Sequence, residues 1–86
     1  MLQASLKTEP IAEKRNDPIA WIEIAHKLEA GGVIVDAERA LRKAIQLKPD
    51  YKPAWLDLVR VLQKQGRVKD AEAAQMHANQ LKSNGI

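Results

Sequence analysis

Apolar residues recur at helical spacing through most of this chain. Trp21, Ile24, Ala25 and Leu28 stand at i, i+3, i+4 and i+7, one stripe of a helix with 3.6 residues per turn. Trp55, Leu58, Val59 and Leu62 repeat that stripe further on. Between and after them, Ala37, Ala40, Leu41 and Ala44, then Ala71, Ala74 and Ala78, carry two more helices whose small side chains allow neighbouring backbones to approach closely. Punctuation fits the stripes. Asp17-Pro18 supplies a cap and a first-turn proline. Gly31-Gly32 and Gly66 suit the left-handed residue common just past a helix, and Lys48-Pro49-Asp50 stops the second helix. The pattern predicts helices over 18–30, 34–48, 52–64 and 68–82, with both tryptophans in equivalent packed environments.

The stripes form a repeat. A shift of 34 residues lays Trp21 on Trp55, and Ala20, Leu28 and Gly32 on Ala54, Leu62 and Gly66. The same shift carries Asp36-Ala37-Glu38 onto Asp70-Ala71-Glu72 and Gln46-Leu47-Lys48 onto Gln80-Leu81-Lys82. Units of this length stack on one another and present a surface, which points to binding rather than chemistry.

In their order these residues resemble the tetratricopeptide repeat. Trp21, Ile24, Ala25, Leu28, Gly32, Ala37, Leu41, Ala44 and Pro49 carry its pattern in the first copy. Trp55, Leu58, Val59, Leu62, Gly66, Ala71 and Ala78 carry it in the second, with Gln75 and Ser83 departing from it. The resemblance covers roughly residues 18 to 82. It implies an all-α fold, two helix-turn-helix hairpins stacked as a short α-solenoid. Residues 17–50 would form the first repeat and 51–83 the second.

The second copy's last helix exchanges Leu41 for Gln75 and Ile45 for Asn79, as expected of a polar capping helix that no further repeat covers. Met76 is read there as a packing residue. Residues 1–16 are an amino-terminal extension. Pro10 falls where an earlier copy would need the small residue of Ala44, so a full preceding repeat is not expected. The segment is either disordered or a short helix through Ile11–Lys14, capped by Thr8.

Composition narrows the functional classes. With two Trp, one Tyr and no Phe, the aliphatic residues and alanine must supply the core. The absence of cysteine removes disulfides and thiolate chemistry, and a net charge of +3 demands no acidic partner. No apolar run approaches the roughly 18 residues of a membrane span, and the amino terminus lacks a signal-peptide core. A cytoplasmic location is therefore expected.

No catalytic constellation is visible. His26 and His77 lie on different helices, and Ser5 and Ser83 are far from any base. Asp36 and Glu38 read as first-turn carboxylates that complement the helix dipole. Arg39, Arg42, Lys43 and Lys48 form a basic stretch, but Glu38 pairs with Arg42 at i+4 and the aromatics belong to the repeat core, which leaves no stacking platform for nucleic acid. We expect no enzyme, cofactor, metal or membrane role.

The side of the first and third helices opposite the packed stripes carries Ile19, Ile22, Glu23, His26, Glu29 and Ala30, and Leu56, Asp57, Arg60, Gln63 and Lys64. By the resemblance this side lines a concave groove for a peptide or partner helix. Ile19, Ile22 and Leu56 would form an apolar stripe with a charged rim. The carboxylate clamp of chaperone-binding members is not matched, since Ile22, His26 and Asp57 occupy the corresponding positions. The expected function is a non-catalytic protein-interaction module. A self-associating unit, such as a homodimer, and a docking segment of a larger enzyme or secretion component are the alternatives.

Overall fold

In the computed structural model, residues 16–81 are described. They form four α-helices: α1 (Pro18–Ala30), α2 (Ile34–Leu47), α3 (Lys52–Lys64) and α4 (Val68–Gln80). Each lies where the sequence pattern predicts it, α2 and α4 ending one or two residues early. The expected segment through Ile11–Lys14 lies outside the described residues.

Local chemistry accounts for the boundaries. The Asp17 carboxylate accepts a hydrogen bond of 2.9 Å from the Ile19 amide, satisfying one of the free donors that begin α1. Helices α1 and α3 end in the same way. The Val33 amide returns to the Leu28 carbonyl and the Gly32 amide to Glu29; Arg67 and Gly66 repeat these bonds to Leu62 and Gln63. That closure needs a left-handed residue, supplied by Gly32 at φ +82° and Gly66 at φ +74°.

Helix α1 packs on α2 and α3 on α4, while α2 joins the two hairpins through α3. The result is the expected stacked pair of helix-turn-helix units. Leu41, Leu58, Val61 and Leu62 are the largest fully buried side chains, each contributing about 1.5–3 kcal/mol of burial. Ala37, Ala44 and Ala54 have no exposed surface, so the helices meet through alanine rather than aromatic bulk. Trp21 and Trp55 are both half-buried against this core.

The stack has two ends, and they alter individual positions. Ile24 remains 40% exposed whereas its counterpart Leu58 is 1% exposed, because only Leu58 has a preceding hairpin to pack on among the described residues. Met76 is 63% exposed, correcting its assignment to packing; it stands where α2 has the solvated Arg42. Gln75 donates to Asn79 at 3.0 Å, so the polar pair on α4 satisfies itself.

Glu38 is the larger correction. It is 8% exposed, not a solvated first-turn carboxylate. Gln65 Nε2 and Arg67 Nη1, from the turn between α3 and α4, donate to its Oε1 at 2.8 Å, and Arg42 Nε donates to Oε2 at 2.8 Å. Burial pushes its carboxyl up, but the hydrogen bonds from Gln65, Arg42 and Arg67 outweigh that and hold it below the usual carboxylate range. Glu38 thus ties the two hairpins together.

Candidate functional site

Helices α1 and α3 run side by side and leave between them an open groove of about 510 Å³, lined by His26, Glu29, Ala30, Asp57, Arg60 and Lys64. Their spacing follows from the repeat. His26 stands one turn before Glu29 and Ala30 on α1, and Asp57, Arg60 and Lys64 follow one another at single-turn spacing on α3.

The charges of the groove are wired to one another. Arg60 donates through Nε and Nη2 to the two oxygens of Glu29, at 2.8 and 2.7 Å. Its Nη1 donates to Asp57 at 3.0 Å. Lys64 Nζ lies 2.7 Å from Glu29, and His26 Nε2 lies 2.8 Å from Asp57. Since an ionised carboxylate only accepts, the imidazole donates in that bond. The carboxylates are largely covered, with side-chain exposures of 10% for Glu29 and 16% for Asp57, whereas the cations are about half-exposed. The Arg60 hydrogen bond, helped by Lys64 and opposed by burial, lowers the Glu29 pKa to about 2. Two carboxylates balance two permanent cations, so the floor is polar but nearly neutral.

Not every residue expected here lines this groove. Ile22 is 8% exposed and belongs to the hydrophobic core, which corrects its place in an open apolar stripe. The ion pairs from α3 reach the same flank of α1, so that flank is covered. Leu56, in the equivalent position on α3, is 41% exposed because no further hairpin follows α4 among the described residues. Gln63 lines a different crevice with Val59, Val68, Ala71, Glu72 and Gln75. Ile19 is 51% exposed and Glu23 is solvent-facing, but neither lines the groove floor.

The ionic network escaped the sequence reading, which treated the charges as a rim. A signal existed: Glu29 on α1, with Arg60 and Lys64 at the flanking turns of the helix one repeat later. Among the described residues, no group of three or more His, Asp or Glu is arranged to hold a metal ion, and no helix is long and apolar enough to cross a membrane.

The tetratricopeptide repeat family model matches residues 28–77, more than half of the chain, from the last turn of α1 into α4. No curated protein matches the chain significantly.

Proposed function

The chain belongs to the tetratricopeptide repeat family, whose repeats generally mediate protein–protein interaction, and from that premise we propose that it is a non-catalytic module whose α1–α3 groove receives a peptide segment of a protein partner. The observation that carries this reading is the paired floor of the groove. Arg60 and Lys64 are half-exposed yet aligned by largely covered carboxylates, so their remaining donor capacity points in fixed directions. Groups held in this way lose little further entropy when a ligand's carbonyl or carboxylate arrives.

The floor's near neutrality favours a segment of mixed charge, and its polarity favours backbone and side-chain hydrogen bonds over a broad apolar anchor. Ile19 and Leu56 remain exposed outside the polar floor and offer smaller apolar contacts. Charged groups of this kind set selectivity and salt dependence more than affinity.

The test is affinity capture by the immobilised chain, comparing wild type with Lys64→Gln combined with Leu56→Glu, which leaves the Arg60–Glu29 pair in place. Partner proteins retained by the wild type should be lost from the variant while far-UV circular dichroism stays unchanged. Equal retention by a folded variant would show that the groove is not the working surface.

The self-association reading keeps one specific support, the partly exposed Ile24 of α1. It requires a dimer in sedimentation that Ile24→Glu converts to monomer.

A further inference from the structure

We propose a second docking site on the opposite side of α3, which takes an acidic peptide segment with an apolar side chain next to a carboxylate. At about 100° per residue, Trp55, Leu58 and Leu62 fall on one side of α3, while Asp57, Arg60 and Lys64 fall on the other. The site is therefore separate from the groove of the proposed function and goes beyond it.

The apolar side of α3 forms the floor of a crevice of about 380 Å³ between α2 and α4. Leu58, Leu62 and Ala74 supply aliphatic surface, and Trp55 stands as an aromatic wall. The indole is fixed at two points. Its Nε1 donates to the Pro49 carbonyl at 2.8 Å, and the His77 ring packs on it with centroids 4.0 Å apart and planes tilted by 32°. A rigid aromatic wall over an aliphatic floor suits one apolar side chain, at small entropic cost to the protein.

The mouth of the crevice decides the charge of the ligand. Arg42 lines it and is half-exposed, bonding Glu38 through Nε alone. Its two terminal amino groups make no hydrogen bond to any described residue, and together they present the geometry that matches a carboxylate. The neighbouring charges are already committed. Arg67 bonds Asp70 through Nε at 3.0 Å and Glu38 through Nη1 at 2.8 Å, so the acidic side chain in the wall is neutralised. Arg42 is the guanidinium of the crevice with open donors, and it sits beside an apolar hollow. That combination selects an apolar residue followed by Asp or Glu.

A nucleic-acid strand fits these groups less well. Its phosphates need a run of uncommitted cations, whereas Asp70 lines the same wall and Arg67 is already paired. One face of the indole is also occupied by His77.

The experiment follows backbone amide and tryptophan indole resonances of the ¹⁵N-labelled chain at low salt. Two probes are titrated, acetyl-Ala-Leu-Glu-Glu-amide and its counterpart with both Glu replaced by Gln. The acidic peptide should shift the Trp55 indole and the amides of Ala73, Ala74 and His77 saturably. The Gln peptide, or the variant Arg42→Gln, should weaken binding by about threefold to tenfold, the loss of a charge-assisted hydrogen bond at a partly exposed site. Ala73 is exposed at the edge of the crevice, so Ala73→Glu should leave the fold intact and abolish the shifts by placing a carboxylate beside Arg42. Lys64→Gln with Leu56→Glu should leave them unchanged, which separates this site from the groove. Equal shifts with both peptides, shifts confined to the α1–α3 groove, or insensitivity to Ala73→Glu would overturn the proposal. So would tighter binding of a short oligothymidylate at the same resonances.

Discussion

Arg60 holds Glu29 across the boundary between the two hairpins, two hydrogen bonds of 2.7 and 2.8 Å joining α3 to α1. Lys64 adds a third contact at 2.7 Å, so one largely covered carboxylate receives cations from two turns of the following repeat. The groove floor and the joint between hairpins are therefore partly the same structure.

That joint should weaken in acid. The Glu29 pKa falls from 4.5 to about 2 on folding, so the unfolded chain binds its proton first as pH drops. The stabilisation is fully present above about pH 4.5 and is lost as pH falls towards 2. Because the Arg60 side chain is 44% exposed, solvent screening limits the effect to about 1 kcal/mol. Urea unfolding of wild type and Glu29→Gln should differ by that amount at pH 7 and converge near pH 2. A difference that persists at pH 2 would assign the loss to packing instead.

Equivalent positions should respond unequally to charge. Ile22→Glu buries a carboxylate in the core and should cost about 3 kcal/mol or more, enough to unfold a small domain. Leu56→Glu lies on exposed surface and should stay within about 0.5 kcal/mol of wild type. Thermal melts of the two single variants check this, and equal losses would contradict the end effect described above.

Overpacking should be severe at the alanine contacts. Ala44 has no exposed surface, so Ala44→Leu should cost about 1–3 kcal/mol. In a domain of this size each kcal/mol lowers the melting temperature by roughly 4–8 °C. Melting at the wild-type temperature would place Ala44 outside the core.

The turn glycines should separate by backbone geometry. A Cβ at Gly32 or Gly66 would meet nothing within 4 Å, but φ of +82° and +74° strains any L side chain. Alanine at either position should cost about 1–2 kcal/mol. Gly31 lies at φ −85°, with its nearest would-be contacts at 3.6 and 3.7 Å, so Gly31→Ala should be close to neutral. Chemical denaturation of the three variants ranks them directly.

The period of apolar residues located the helices and their repeat without any structure, and the order of those residues carried the resemblance to the tetratricopeptide repeat. Asp17 caps α1, Gly32 and Gly66 reverse the chain, and Ala37, Ala44 and Ala71 sit in the core because these roles depend on spacing and local conformation, which a linear sequence records. The polarity of α4's outer face was likewise legible in Gln75 and Asn79. Tertiary structure alone decided which flank of each helix is covered. A repeat assigns the same role to Ile22 and Leu56, or to Ile24 and Leu58, yet among the described residues the two hairpins each have a neighbour on a different side. Ile22 therefore enters the core while Leu56 stays at the surface, and Ile24 stays exposed while Leu58 is buried. The ionic joints have the same origin. Glu38 meets Gln65 and Arg67, and Glu29 meets Arg60, only once α3 has settled against the first hairpin, because long-range electrostatic partners are set by packing rather than by position along the chain.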